Sequence, residues 1–358
     1  MSRRTKGLLK AALSAMHYTG VDGALGRLSK GVGVIFTLHH VQPELPGEFE
    51  PSKILKVTPD FLESVIRIVI DRGFDVLSLD EVEHRLSEGD VDRPFACFTF
   101  DDGYRDNKQY AYPIFHRYGL PFAIYVPSDF PDGHGDLWWL KLEKAISALD
   151  TVEVKMHGTY RRFECRSAQQ KEVAFEEIYW WLRSIPEVDA RAVVSDLCRL
   201  HGIDVASLCR DLVMSWDEIR DLAKDPLVTI GAHTRRHFAV GKLSAAEARL
   251  EIEEGLRRLE AELGRECRHF SFPYGDAGSA GSRDFEIARE LGLKTAVTTQ
   301  KGLIHAKHGK SLTSLPRLSL NGDFQHPRYV KVMLSGAPFA IYNLAQKMTF
   351  RQQSASSG

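Results

Sequence analysis

The stretch PFACFTFDDGYRDN, residues 94–107, decides the fold. Its first seven residues form a near-continuous apolar run of strand length, the pattern of a strand covered on both faces of a sheet. Asp101 and Asp102 follow at once, and Gly103 permits a tight turn away from the sheet. A helix is expected from there to about residue 119, and LPFAIYV at 120–126 reads as the next strand. This alternation extends both ways. VGVIFTL (32–38) is another buried strand. Residues 58–73 read as a helix with Thr58 as N-cap, Pro59 in the first turn, and Phe61, Leu62, Val65, Ile66 and Val69 on one face. FDVLSL then reads as a strand, and Ser78 with Glu81 has capping-box spacing.

Residues 133–212 break the rhythm. They show helical spacing without strand alternation and read as a mostly helical insertion. The alternation resumes with LVTIGAHT (227–234), a long helix opened by Ser244 and Glu247, and strands near 267–272, 294–299 and 315–320. Some seven strands separated by helices imply a parallel α/β sheet or barrel, whose chemistry gathers on loops at the C-terminal strand ends.

Three polar clusters follow strands. In the first, Asp101 and Asp102 diverge, so that one can hold a metal while the other accepts a proton; helix capping is the plainer reading. In the second, His233 and His237 lie four apart, one helical turn, so that both imidazoles can meet one ion. His39-His40 and His305-His308 are competing pairs. The third, Phe270 to Asp276, reads as a rigid turn in which Pro273 and Gly275 present Tyr274 to a cleft.

Taken in order, these clusters resemble the polysaccharide deacetylases of carbohydrate esterase family four, whose first motifs read TFDDG, H-[ST]-x-x-H and R-x-P-Y. The first stands as Thr99–Gly103 and the second as His233–His237. The third keeps Pro273-Tyr274 but has Ser271 in place of arginine. The resemblance covers about residues 32–322, insertion excluded. It implies a distorted (β/α)7 barrel, a divalent metal, and removal of N-acetyl or O-acetyl groups from a polysaccharide or its lipid-linked precursor. Asp101 then corresponds to the base that activates water, Asp102, His233 and His237 to the metal ligands, and Tyr274 and Pro273 to the substrate wall. Zinc suits two imidazoles and a carboxylate best; nickel, cobalt and iron are compatible.

The family's last motif, Leu-x-His, has two weak counterparts: Leu303-Ile304-His305, in a Lys- and Gly-rich loop, and Leu315-Pro316-Arg317, better placed but with arginine for histidine. The expectation is that Arg317 supplies the cation missing at position 271. His39, in Leu38-His39-His40-Val41, resembles a first-strand pattern of exopolysaccharide deacetylases and is expected to contact substrate or brace the site. Asp106 and Asn107 read as groove-lining or capping residues. Trp138, Trp139, Trp180 and Trp181 read as local core, with sugar stacking the alternative.

The chain of 358 residues carries 47 Lys and Arg against 48 Asp and Glu, a balance that argues against broad electrostatic binding to nucleic acid or to an anionic membrane. Five scattered cysteines without CxxC pairing argue against a disulfide scaffold or a thiolate zinc site. Residues 1–31 form an N-terminal segment in which 7–16 read as an amphipathic helix packed on the domain, with a membrane-surface role the alternative. Lys10 interrupts any signal-peptide core, and no window spans a bilayer, so a cytoplasmic or membrane-peripheral enzyme is expected. Residues 323–358 read as an extension with a disordered tail. The competing functions are a carbohydrate-binding member without catalysis and an amidase for a small non-sugar substrate.

Overall fold

The computed structural model describes residues 3–20, 31–43, 47–90 and 92–341. The tail QQSASSG, expected to be disordered at the end of the 323–358 extension, lies outside them. Among the described residues nine strands longer than two residues organise the fold: β1 (Gly33–Leu38), β2 (Phe95–Phe100), β3 (Phe122–Val126), β4 (Thr151–Met156), β5 (Thr159–Glu164), β6 (Val228–Ala232), β7 (His269–Ser271), β8 (Thr295–Lys301) and β9 (Leu315–Ser319). Seven of them close a parallel barrel in the order β1-β9-β8-β7-β6-β3-β2 and back to β1. This is the (β/α)7 barrel expected. The stretch FDVLSL contributes only Asp75–Val76, which pairs on the outside of β2 and stays out of the ring.

Strand alternation sorts the core. Val34, Phe36, Leu38, Ala96, Phe98 and Phe100 pack outward under the helices, while Ile35, Cys97, Tyr125, Val297 and Leu315 pack together inside. The register pairs Leu38 with Phe100, so His39 and Asp101 leave their strands at the same level.

Twelve helices are used below: α1 (Arg3–Thr19), α2 (Pro59–Asp71), α3 (Leu79–Glu88), α4 (Tyr112–Tyr118), α5 (Trp138–Ala148), α6 (Ala168–Ser184), α7 (Glu187–Leu200), α8 (Leu208–Leu212), α9 (Trp216–Leu222), α10 (Ala245–Leu263), α11 (Ser282–Glu290) and α12 (Pro327–Met333). Their starts follow the sequence signals. The Thr58 hydroxyl accepts the Phe61 N–H at 3.1 Å, and the capping boxes at Ser78–Glu81, Ser215–Glu218 and Ser244–Glu247 all form.

The insertion differs from its reading in one respect. It holds α5 to α8, but β4 and β5 pair between them as an antiparallel hairpin. Val152, Val154 and Met156 turn inward while Glu153 and Lys155 are exposed, a period-two pattern over only six residues. β5 buries only Phe163, so its polar sequence gave little strand signal. The insertion has its own core, built around Trp138, Leu142, Ile178 and Trp181.

Candidate active site

Asp101 and Asp102 directly follow β2 and are 2% exposed. Asp101 continues the inward side set by Thr99 and meets Arg317, the third residue of β9. The guanidinium grips both carboxylate oxygens, Nη1 to Oδ1 at 2.8 Å and Nη2 to Oδ2 at 2.6 Å. It is itself fixed by donation to the Thr298 carbonyl at 2.9 Å, the Thr99 hydroxyl at 3.1 Å and the Ser271 hydroxyl at 3.0 Å. Arg317 thus occupies the space beside Ser271, and Nε, Nη1 and Nη2 of this fork all find oxygens. Burial by itself would raise the Asp101 pKa, but the Arg317 charge and hydrogen bonds, with help from His233 and His39, bring it below the ordinary range. The group is a carboxylate at neutral pH.

Asp102 turns the other way because its backbone is left-handed, φ 71°. Its Oδ1 lies 3.2 Å from His237 Nε2 and 3.5 Å from His233 Nε2, and the three ligand atoms fall within 4.8 Å of one another. All three residues are buried. Burial would raise the Asp102 pKa, yet the neighbouring imidazoles hold it well below the usual range; burial lowers that of His237.

The two histidines do not sit on a helical turn as their spacing suggested. The loop after β6 is irregular, with Thr234 and His237 both at φ 60°, and the Thr234 hydroxyl accepts the His237 N–H at 3.0 Å. Helix α10 supports this loop: the Glu251 carbonyl accepts the Arg235 N–H and its carboxylate the Arg236 N–H, each at 3.0 Å. Gly255 makes the approach feasible, since a Cβ there would come within 2.6 Å of the Thr234 carbonyl carbon. Among the described residues, four of the five non-glycine residues with positive φ are Asp102, Thr234, His237 and Tyr274, so backbone strain concentrates where the three loops converge.

These residues suit a divalent ion. His233 Nδ1 lies 2.6 Å from the Ser271 carbonyl, an acceptor that can only take a proton from it. In the neutral ring Nε2 is then unprotonated and faces the carboxylate oxygen of Asp102, lone pair against lone pair. Asp102 Oδ1 is buried without a hydrogen-bond partner. A cation between them relieves both, and two neutral imidazoles with one carboxylate form a common three-ligand set that leaves positions open.

The cleft over the site has a volume of about 660 Å³ and reaches from Asp101, Asp102, His39 and Tyr274 to residues 50–55 and the face of α6. His39 lies on this cleft, its carbonyl held by Asn107 Nδ2 at 2.7 Å, and burial lowers its pKa. His40 instead stacks on Tyr104 and pairs with Asp106 at 2.6 Å, so Asp106 and Asn107 brace the rim of β1. Tyr274 lines the cleft, its hydroxyl accepting from Trp138 Nε1 at 2.8 Å and its ring lying 3.6 Å under the Arg183 guanidinium. Pro273 does not line it: it is buried, and its carbonyl closes the turn by accepting the Gly275 N–H at 2.7 Å. His305 is also remote. Ile304 bridges Gly33 at the start of β1, the opposite end of the barrel from the site.

Sequence reasoning missed how deeply the insertion enters the site. The Trp139 ring centroid is 5.1 Å from that of His237, and Tyr274 stands 4.8 Å from the same ring. Trp138, Trp139 and Trp181 are buried, but Trp180 is 56% exposed and lines the cleft together with Phe175 and Tyr179. Helical spacing gave no means of separating Trp180 from the other three.

A model of the polysaccharide deacetylase family matches residues 88–296. That range includes the paired aspartates, the histidine loop and Tyr274, and leaves out His39 and Arg317. No curated protein matches the sequence. Solved structures similar in fold include the Streptococcus pyogenes deacetylase PplD, determined with acetate, at 16% identity and TM-score 0.55 over 84% of this chain and 97% of that one. IcaB from Ammonifex degensii shares 16% identity with a TM-score of 0.53, covering 85% and 97% of the two chains. BC0361, a polysaccharide deacetylase from Bacillus cereus, shares 13% at TM-score 0.52, covering 84% and 68%.

Proposed function

The chain belongs to the polysaccharide deacetylase family, and we propose that this member removes N-acetyl groups from a polysaccharide or its lipid-linked precursor, with Asp101 as general base. The observation that carries the reading is the pairing of Asp101 with Arg317 beside a buried Asp102–His233–His237 cluster, at one end of the barrel and open to one cleft.

Asp102, His233 and His237 would hold a divalent ion, and zinc fits their donor atoms best. Such an ion supplies Lewis acidity toward the acetyl carbonyl and makes a water molecule more acidic. Asp101, kept ionised and fixed in direction by Arg317, takes the proton as the water oxygen adds to the carbonyl carbon; positioned bases contribute about 10²–10⁴ in rate. The Tyr274 backbone N–H, presented by the left-handed turn, is assigned to the developing oxyanion. Asp101 then returns that proton to the leaving nitrogen as the C–N bond breaks, and His39, on the same cleft with its pKa lowered by burial, is assigned to contact the substrate. Acetate and a free amine result.

Purified protein supplied with zinc is expected to release acetate and free amine in equal amounts from an N-acetylated chito-oligosaccharide. Acetate without new amine on an O-acetylated sugar would replace this reading with O-deacetylation. Turnover of a small non-sugar amide alone would replace it with an amidase.

The aromatic face of α6 supports a sugar chain over a small amide. Trp180→Ala removes an exposed ring from the cleft wall without touching the core. It is expected to raise KM for an oligosaccharide about 3–10-fold, the worth of one aromatic contact, with kcat within about threefold. Equal kinetics in the two proteins would exclude the α6 face as a sugar platform.

A further inference from the structure

The insertion places two side chains on one tyrosine of the barrel. Trp138, the first residue of α5, donates its indole N–H to the Tyr274 hydroxyl at 2.8 Å. Arg183, in the last turn of α6, holds its guanidinium 3.6 Å from the centre of the Tyr274 ring, a close cation–π contact. Its Nη2 donates to the Asp276 carboxylate at 2.9 Å and to the Ser279 hydroxyl at 2.7 Å. Arg183 thus grips the ring of Tyr274 and also the turn that follows it. Its side chain is only 8% exposed, and Nη1 is buried without a hydrogen-bond partner. A guanidinium on an open surface keeps its water and fixes little, whereas this one has given up nearly all of it for the ring and the turn.

Tyr274 needs such support. It has φ 60° and is followed by Gly275, also at φ 60°, and only the second of the two is a residue at ease there. A tyrosine keeps the left-handed conformation where its surroundings over-determine it. The barrel supplies part of that restraint: from β8, the Thr299 hydroxyl donates to the Tyr274 carbonyl at 2.5 Å and the Thr299 N–H to the Gly275 carbonyl at 3.0 Å. Both bonds act on carbonyls, which lie on the far side of the Tyr274 α-carbon from its own N–H. With the carbonyl held by β8 and the ring held by Arg183 and Trp138, two bonds of the α-carbon are fixed, and tetrahedral geometry then fixes the direction of the nitrogen.

We infer that Arg183 is a positioning residue for the reaction: it acts from the insertion on the Tyr274 turn and keeps the backbone N–H aimed at the developing oxyanion. The insertion is then a working part of the catalytic centre as well as a wall of its cleft. What the N–H meets rests on the deacetylase reading; the clamp on the turn does not.

Arg183→Ala is expected to lower kcat on an N-acetylated chito-oligosaccharide about 10–30-fold, short of the 10²–10³ that follows outright loss of an oxyanion donor, with KM within about threefold. Arg183→Lys keeps a cation for the ring and for Asp276 and should return kcat to within about fivefold of wild type. Asp276→Asn removes the charge from the other side of the pair at a side chain that is half exposed, so it spares the core. It should lower kcat about 3–10-fold, and adding it to Arg183→Ala should cost no more than about a further twofold, because both act through one contact. Zinc affinity should stay within about threefold in every variant. Amide hydrogen exchange at Gly275, Ser279 and Ala280, whose N–H groups are bonded within the turn, should quicken at least about tenfold in Arg183→Ala, whatever the turnover.

Four results each overturn the assignment. A kcat of Arg183→Ala within about threefold of wild type would leave the residue without a part in the reaction. A rise in KM with kcat unchanged would make it a substrate contact. A loss of zinc affinity matching the loss of kcat would mean that it acts through the neighbouring His237. Unchanged exchange in the turn would show that Thr299 holds Tyr274 alone. A wild-type protein inactive on the oligosaccharide, with exchange that still quickens in Arg183→Ala, would overturn the deacetylase reading and uphold the clamp.

Discussion

Protein purified without added metal is expected to carry about one equivalent of divalent ion, and His233→Ala to lose it together with deacetylase activity. His233 is the most firmly fixed of the three residues proposed to hold the ion: its Nδ1 is tied to the Ser271 carbonyl at 2.6 Å, which aims Nε2 at the site. Alanine removes one of three donors and leaves two that cannot close around an ion. Loss of a group that merely orients a ligand lowers metal affinity about 10–100-fold, so loss of the ligand itself should exceed a hundredfold. Elemental analysis reads the stoichiometry and titration with zinc reads the affinity, both without reference to turnover. His237→Ala should behave alike, with one difference. Its ring is packed between Trp139 and Tyr274, so the variant also opens a cavity in the wall and should melt at a lower temperature. A metal content equal to wild type in both variants would remove Asp102, His233 and His237 from the reaction.

The barrel was legible because its strands are buried on both faces and its helices carry strong caps. Runs such as VGVIFTL and the capping boxes at Ser78 and Ser244 leave few competing readings. The hairpin of β4 and β5 was not legible, since one short strand alternates and the other exposes nearly everything. At the site, the paired aspartates and the two histidines stand out because carboxylates and imidazoles directly follow apolar strands. The conformation that joins the histidines does not follow from their spacing: four residues suggests a helical turn, whereas two left-handed residues and the Thr234 hydroxyl make a loop. Pro273 was placed on the cleft because a motif was read as a surface, but proline there shapes the turn that exposes Tyr274. Trp139 and Trp180 depended on how the insertion folds back over the barrel, a long-range contact that local pattern does not encode.

Arg317→Ala is expected to lower kcat at least a hundredfold, close to the effect of Asp101→Asn, with a smaller change in KM. The reason is geometric and electrostatic at once. Asp101 is buried with one formal cation bonded to it, and both carboxylate oxygens are held by that fork. Without it the carboxylate loses its direction and its counter-charge. Removing one partner of a buried pair is strongly destabilising, about 3–5 kcal/mol, so a fall in activity on its own would not distinguish catalysis from folding. Two readouts do. The first is the acid limb of kcat/KM. Burial raises the Asp101 pKa and Arg317 lowers it, so the variant's base should be protonated at higher pH and the limb should move upward. A bound ion acts on both proteins alike and cancels in the difference. The second is an exchange of positions, Ser271→Arg with Arg317→Ser. The Ser271 hydroxyl is 3.0 Å from Arg317 Nη2, so the two side chains border the same volume and the exchange conserves it. Restored activity in the exchanged protein, with the acid limb returned, would establish that the site needs a guanidinium on Asp101 and is indifferent to the strand that supplies it. A stable, metal-loaded exchange variant as inactive as Arg317→Ala, or an Arg317→Ala protein within about threefold of wild type, would refute that role for Arg317.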